Sequence, residues 1–342
     1  MSEHRVFDPS EHEHDSIVRG LIDDPAIGVV DTTPDQLASL RGLLPAIAGD
    51  LAEEPRWVYY PWRRSLVRVL GPRGFDRLRL DRNRNKITTE EQARFRGLRV
   101  GIVGLSVGHA VAHTLALEGL CGELRLADFD ELDLSNLNRV PTSVLDLGVN
   151  KAVVAARRIS ELDPYLNVQV FANGVTAETL GGFLDGLDLV VEECDSIDTK
   201  LLVRQHARAR GIPVVMETSD GGVLDIERFD LEPDRPVFHG LLGEMDTEDL
   251  ADMTIEQKST IAATLLEPSK LTPRMIASVP EIGRTLSTWP QLGGDVALGG
   301  AAVTAAVRAF GRGGPLPSGR RRIDLDGLVR TGLDPAAGPA NV

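Results

Sequence analysis

From residue 97 onward, short apolar runs alternate with amphipathic stretches, and this alternation limits the fold more than any other feature. RVGIV (99–103) reads as a buried strand, and residues 107–118 as a helix. ELRLADFD (123–130) is a second strand. NKAVVAARRISEL (150–162) is a helix with apolar residues at helical spacing, and NVQVFA (167–172) is a strand. TAETLGGFL (176–184) reads as a helix, LDLVVEE (187–193) as a strand and DTKLLVRQHARAR (198–210) as a helix. PVVMET (213–218) and VLDIERFD (223–230) close the series as strands. Strands separated by helices need crossover connections, and crossovers give a parallel sheet covered on both faces. The expected class is α/β, a doubly wound, mostly parallel sheet.

The flanks are less regular. Residues 1–20 show no periodicity and read as a loose tail, with His12 and His14 a solvated pair lacking the further ligands a metal needs. PAIGVVD (25–31) reads as a short strand. Asp31-Thr32-Thr33-Pro34 then reads as a helix start, polar cap before proline, with the helix running to about Ile47. Trp57, Tyr59, Tyr60 and Trp62 suit a small core joining this region to the main domain. Residues 240–285 are polar, with short helical stretches around 247–265 and 272–278. GGDVALGGAAVTAAVRAF (293–310) is a small-residue helix able to pack close to a sheet or a partner copy. The expected division is an N-terminal α/β appendage of unassigned role (1–80), a nucleotide-binding domain (81–315), and a short strand with a tail (316–342).

Composition narrows the function classes. At 42% hydrophobic residues the 342-residue chain is not generally disordered. It has no apolar run of the roughly 18 residues a membrane helix needs, and its first residues lack the apolar stretch of a secretory signal. Two cysteines, Cys121 and Cys194, exclude a disulfide scaffold and a four-cysteine zinc site. The expectation is a soluble cytoplasmic protein with no membrane partner. A net charge of −14 argues against sequence-independent nucleic-acid binding. Residues 56–99 run the other way, with 13 Lys/Arg against 4 Asp/Glu. A solvated face accounts for that run; a basic segment beside an anion site is the alternative.

Between the first strand and its helix lies Gly101-Ile-Val-Gly104-Leu-Ser106-Val-Gly108. Glycine lets backbone approach phosphates, and a helix N-terminus offers free N–H groups and a positive dipole. The same residues also spell G-x-S-x-G, the nucleophile turn of serine hydrolases. That reading needs a later histidine. His206 sits in mid-helix, and His239 lies on a loop. The end of the second strand discriminates. Asp128, 24 residues past Gly104, stands where a doubly wound fold places the acid that binds ribose hydroxyls. After it come Asp130, then Ser135-Asn136-Leu137-Asn138-Arg139, then Gly148-Val-Asn-Lys151. An arginine and a lysine after the ribose acid suit a triphosphate better than the pyrophosphate of a dinucleotide.

DFDELDLSNLNR, GVNK and LVVEECDS together resemble the ThiF/MoeB and ubiquitin-activating-enzyme superfamily of ATP-dependent adenylyltransferases, over about residues 82–311. The resemblance implies a Rossmann-like fold and the following roles. Gly104, Ser106 and Gly108 form the phosphate turn. Asp128 holds the ATP ribose, with Asp130 beside it. Asn136 and Arg139 contact phosphates, Lys151 stabilises their charge during attack, and Asp195 holds Mg²⁺. Arg82 or Arg84 resembles an arginine that one subunit lends to its neighbour's ATP, which implies a homodimer. The implied reaction is attack of a carboxylate on the α-phosphorus of ATP. The carboxylate belongs to a small carrier protein, a peptide or a small acid. The departures are a phosphate turn shorter by one residue, Ser106 in place of its middle glycine, and Ser196 in place of an asparagine. The zinc-binding cysteine pairs are absent, so no zinc is expected. No cysteine follows residue 230, where a thioester cysteine belongs, and Cys121 and Cys194 read as buried structural residues. Two other functions fit less of the pattern: a catalytically degenerate nucleotide-binding scaffold, and an NAD(P)-dependent oxidoreductase.

Overall fold

A computed structural model describes residues 4–45, 53–219, 222–243 and 271–325, with short stretches within 245–265 and 327–329. Two sheets are present. The N-terminal one contains β1 (Arg5–Phe7), β2 (Gly28–Asp31), β3 (Arg56–Tyr60) and β4 (Ser65–Val69) in the order β1-β3-β4-β2. Helices α1 (His12–Asp23), α2 (Thr33–Arg41) and α3 (Pro72–Arg79) accompany it.

The expected loose tail is therefore corrected. Arg5–Phe7 pairs antiparallel with Trp57–Tyr59, and α1 seats Val18 against Phe7 and Leu66. A three-residue strand is too short to show a period of two, which is why the sequence hid it. His14 is not solvated as expected: its Nδ1 accepts the Asp8 backbone N–H at 2.9 Å and its ring meets the Phe7 ring edge-on. Helix α2 ends at Arg41 rather than near Ile47, and residues 46–52 lie outside the description. The aromatic cluster does join the two parts. Tyr60 Oη donates to the Ser160 carbonyl at 3.1 Å, and Trp62 and Arg63 both bond to Glu161.

The main sheet follows α4 (Thr89–Phe95), whose start is fixed by a reciprocal Thr88–Glu91 capping box. Its elements are β5 (Arg99–Val103), α5 (Gly108–Glu118), β6 (Glu123–Ala127), α6 (Lys151–Leu162), β7 (Asn167–Phe171), α7 (Leu180–Leu184), β8 (Leu189–Glu192), α8 (Ile197–Arg208), β9 (Val214–Thr218) and β10 (Val223–Glu227). Short helices α9 (Thr247–Ala251) and α10 (Pro273–Ser278) precede the long α11 (Gly293–Gly311) and β11 (Gly319–Arg322). The strand order is β11-β10-β9-β8-β5-β6-β7. Strands β5 to β9 run parallel, and β10 and β11 add antiparallel. The strand of the 316–342 segment thus completes the main sheet.

One face of the sheet packs on α5, α6 and α11 through residues such as Ile102, Leu126 and Val303; the other packs on α7 and α8 through Val103, Phe183 and Leu201. The winding reverses between β5 and β8, so their carboxyl ends open a crevice, the usual ligand position in such sheets. Helix α7 is shorter than the expected 176–184. Thr176 and Thr179 exchange side-chain-to-backbone hydrogen bonds at 2.8 and 3.3 Å, and this turn competes with helix. Some small residues of α11 are used inside the chain, while Ala297, Ala301 and Ala305 stay exposed. A Cβ on Gly300 would lie 3.2 Å from Ala110 of α5, and one on Gly299 would lie 2.3 Å from the Glu217 carboxylate.

Candidate functional site

The site is built at the reversal. β5 ends at Val103, and Gly104 turns the chain with φ +89°. A Cβ there would sit 2.6 Å from the Glu193 carbonyl oxygen, so close approach and backbone sign both require glycine. Gly108 begins α5, where a Cβ would meet Ile102 at 2.7 Å. The turn is pinned to the neighbouring strand: Leu105 N–H donates to Asp128 Oδ2 at 2.6 Å, and Asp130 N–H donates to Oδ1 at 2.8 Å. Burial pushes the Asp128 carboxyl up, while those two N–H groups pull it back. Each oxygen keeps a further lone pair for a ligand hydroxyl.

Lys151 opens α6 and is buried. Its Nζ reaches Asp130 Oδ2 at 2.8 Å, and its backbone N–H donates to the Asp130 carbonyl at 2.8 Å. Asn150 before it does more than the sequence suggested. Its Nδ2 donates to the Asp128 and Ala172 carbonyls at 2.9 and 3.1 Å, and its Oδ1 caps α6. It thereby ties together the ends of β6, β7 and α6.

Asn136 lies in a 3-10 turn over residues 134–138, and its Oδ1 accepts the Asp133 N–H at 3.0 Å in a capping box. Its side-chain oxygen therefore shapes the loop that carries Arg139. The Arg139 Nε donates to Ser106 Oγ at 3.2 Å across the crevice. Burial lowers the Arg139 guanidinium, and the nearby Asp195 carboxylate acts the other way. Asp195 follows β8 and is exposed on the rim. Among the described residues, no group of three or more His, Cys, Asp or Glu is placed to hold a metal ion. A lone rim carboxylate suits Mg²⁺, which commonly takes one or two carboxylates together with phosphate oxygens and water.

Gly104, Ser106, Gly108, Asp128, Asp130, Arg139, Lys151 and Asp195 are thus gathered at one crevice, with Asn136 in its wall. Arg82 and Arg84 are not. Their turn packs at the far end of α5, where Asn83 Nδ2 donates to the Glu118 carbonyl at 3.0 Å. Eleven helical residues at ~1.5 Å each place that end about 16 Å from the phosphate turn. Arg84 bonds Asp81 and the Leu44 carbonyl instead. The basic run is largely neutralised by carboxylates: Arg56 with Asp8, Arg63 with Glu161, Arg79 with Asp163, Arg96 with Asp76. The hydrolase geometry is absent. His239 bonds Asp225 and Arg235, and among the described residues no histidine contacts Ser106. Cys121 is buried, and burial raises both thiols.

A buried charge network, unforeseen in the sequence, underlies the crevice. Fully buried Arg204 of α8 donates to Glu192 at 2.5 Å and to Glu227 at 2.6 Å, and Lys200 reaches Glu192 at 3.0 Å. Asp225 bonds His239 at 2.8 Å and Arg320 at 3.0 Å. Its members lie up to 128 positions apart, on elements that pair only in the folded sheet.

Strand order and crevice together define a doubly wound, Rossmann-like domain whose polar groups gather at the strand reversal. Residues 80–294 match the ThiF family, and the chain belongs to that family. It is 54% identical over 325 residues to the uncharacterized protein MT1398 of Mycobacterium tuberculosis, covering 95% of this chain and 46% of that protein. It is 29% identical over 160 residues to the sulfur carrier protein adenylyltransferase of Thermus thermophilus, covering 46% of this chain and 57% of that one. The chain spans about half the length of these curated relatives. Among solved structures it resembles the tRNA N6-threonylcarbamoyladenosine dehydratase of E. coli at 20% identity and a TM-score of 0.50, covering 69% of this chain and 95% of that one. That likeness establishes the Rossmann-like fold. No helix among the described residues is long and apolar enough to cross a membrane.

Proposed function

We propose that the chain is an ATP- and Mg²⁺-dependent adenylyltransferase that activates a carboxylate as an acyl-adenylate. The observation carrying this reading is the convergence of Asp128, Arg139, Lys151 and Asp195 on a glycine turn at the N-terminus of α5. Asp128 takes the ribose hydroxyls. The turn's backbone N–H groups and the helix dipole face the phosphates. Lys151 exchanges Asp130 for phosphate oxygens, and Arg139 exchanges Ser106. Mg²⁺ on Asp195 would neutralise charge on the α-phosphate. A substrate carboxylate oxygen bonds to the α-phosphorus as the bond to the bridging oxygen breaks, and pyrophosphate leaves with that electron pair. The carboxylate is already a nucleophile, so positioning and charge neutralisation suffice. Its source is the C-terminus of a small carrier protein or peptide, or a small acid; a relative named as a sulfur carrier protein adenylyltransferase supports this class. The protein works as a cytoplasmic homodimer in this reading. Cys121 is buried, and Cys194, only partly buried in a cavity wall, has its thiol raised by desolvation; both disfavour a thioester step.

The test is ATP–pyrophosphate exchange over a panel of carboxylates and carrier proteins. Exchange is expected with at least one, and Asp195→Asn abolishes it while the variant stays folded. ATP binding without exchange would instead support the scaffold reading, and stabilisation by NAD⁺ but not ATP the oxidoreductase.

A further inference from the structure

A cavity of about 370 Å³ adjoins the nucleotide crevice. The two share residues: Val107 of the phosphate turn and Asp195 after β8 both line the cavity. Beyond them the wall is mainly apolar, with Ile197, Phe238, Leu271, Ile282 and Trp289. An apolar cavity of roughly 150 Å³ takes benzene, so this one has room for a ring together with the chain that carries it.

The charged groups of the inner wall are paired or neutral. Lys200 Nζ bonds both Glu192 oxygens, at 3.0 and 3.2 Å. Arg320 pairs with Asp225 at 3.0 Å and donates to the Leu265 carbonyl at 2.8 Å, and Asp225 also bonds His239. Burial pushes the Glu193 carboxyl up to about 8, so it keeps its proton at neutral pH. Glu217 is pushed up to about 9, and its carboxyl lies against Gly299 of α11, where a Cβ would meet its Oε2 at 2.3 Å. Gln291 Nε2 donates to Ser219 Oγ at 2.9 Å. An ion placed among these groups loses its hydration without gaining a partner. An apolar group gains by leaving water for the same wall.

Backbone strain helps to build that wall. Phe238 and His239 are consecutive non-glycine residues in the left-handed region, at φ 51° and 57°. Their surroundings hold them there. The Arg204 Cζ lies 4.2 Å from the centroid of the Phe238 ring, and His239 bonds Asp225 and Arg235. Phe238 thus covers a buried guanidinium and presents an aromatic surface to the cavity. Strained residues of this kind cluster at ligand sites.

We propose that this cavity seats the apolar body of the carboxylic acid activated at the crevice, so that the substrate carries a bulky hydrophobic group near its carboxylate. The carboxylate itself stays at the end bounded by Val107 and Asp195, since Lys200 and Arg320 are already paired. Assigning the apolar group to the substrate rests on the adenylation reading; the cavity's preference for bulky apolar acids does not.

The test titrates 4-phenylbutanoate and butanoate into the full chain by calorimetry at neutral pH with Mg²⁺ present. The carboxylate is common to both, so the difference reads the apolar group. The phenyl acid is expected to bind at least about tenfold more tightly. Leu271→Phe/Ile282→Phe, which fills the cavity with its own side chains, is expected to remove that preference. Trp289→Ala, which takes away part of the wall, serves as the second variant and is expected to weaken it; thermal unfolding confirms that each is folded. Equal affinity for the two acids, absence of binding by either, or an unchanged preference in the folded variants overturns the proposal. Pyrophosphate exchange then compares the same two acids, and the tripeptide Gly-Gly-Phe with Gly-Gly-Gly. Preference for the bulkier member of a pair assigns the cavity to the substrate and says whether that is a free acid or a peptide C-terminus. A binding preference without exchange by any carboxylate leaves the cavity's selectivity standing and removes the adenylation reading. Exchange with no preference in either pair removes the assignment of the apolar group to the substrate.

Discussion

At the scale of single residues, much of the site performs structural work as well as its proposed chemistry. Asp128 clamps the phosphate turn to β6 through both oxygens, so Asp128→Ala should cost stability as well as nucleotide affinity. Gly104 is the sharper case. Its φ of +89° and the 2.6 Å approach of the Glu193 carbonyl leave no room for a Cβ. Gly104→Ala should destabilise by about 1–3 kcal/mol, read by urea unfolding, and should lose the thermal stabilisation given by ATP. Glu217 gives a pH signature. Burial first, then Glu193 and Asp295, raise its carboxyl from 4.5 to about 9. Between these values the folded chain keeps a proton that the unfolded chain releases. Stability from this group is therefore full below about 4.5 and falls as pH rises toward about 9. Glu192 opposes this at the acid end, since its salt-bridged carboxyl is lowered. The difference between wild type and Glu217→Gln isolates the effect. The wild-type melting temperature should drop relative to the variant's between about pH 5 and pH 9, and parallel curves would refute the assignment.

At the scale of elements, legibility followed the length and continuity of each signal. Parallel strands buried on both faces are near-continuous apolar runs, so β5, β7, β8 and β9 could be read within two residues, while β6 ends at Ala127, three residues short of the expected 130. The site residues were legible because they sit on the loops that leave those strands, where spacing is short and local. The three-residue β1 carried no period, and threonine side-chain bonds shortened α7. The network of Glu192, Arg204 and Glu227 was unreadable for another reason. Each looks like an ordinary surface charge until pairing of β8, β9 and β10 brings them under α8. Glu217 escaped notice likewise, as one acid at a strand end. The network makes its own prediction. Arg204→Met keeps the packing over Phe238 but leaves buried Glu227 without its cation and Glu192 with Lys200 alone. The loss should be about 3–5 kcal/mol in chemical unfolding. Arg204→Met with Glu192→Gln and Glu227→Gln should recover much of it. A single variant as stable as wild type would show that the network contributes nothing.

At the scale of the whole molecule, the open question is where Arg82 and Arg84 act. About 16 Å of helix separates them from the crevice within one chain, so any contact with ATP must come from a second copy. Helix α11, a second candidate packing face for that copy, has Gly299 and Gly300 closed against β9 and α5 but keeps Ala297, Ala301 and Ala305 exposed. Apolar surface remains open on the loop beside the site, where Leu134, Val144 and Leu145 are 64%, 63% and 78% exposed. A two-fold dimer through this rim would bring each copy's loop against the other. The test mixes two inactive variants, Arg82→Ala/Arg84→Ala and Asp195→Asn. In a shared-site dimer, a mixed pair has one site with both lesions and one with neither. Equal mixing makes half of the dimers mixed, so about a quarter of wild-type exchange activity should return. Leu145→Asp in both variants should abolish that recovery and yield monomers by light scattering. Subunit exchange without recovered activity would confine the two arginines to their own chain, bracing the turn through Asp81 and the Leu44 carbonyl.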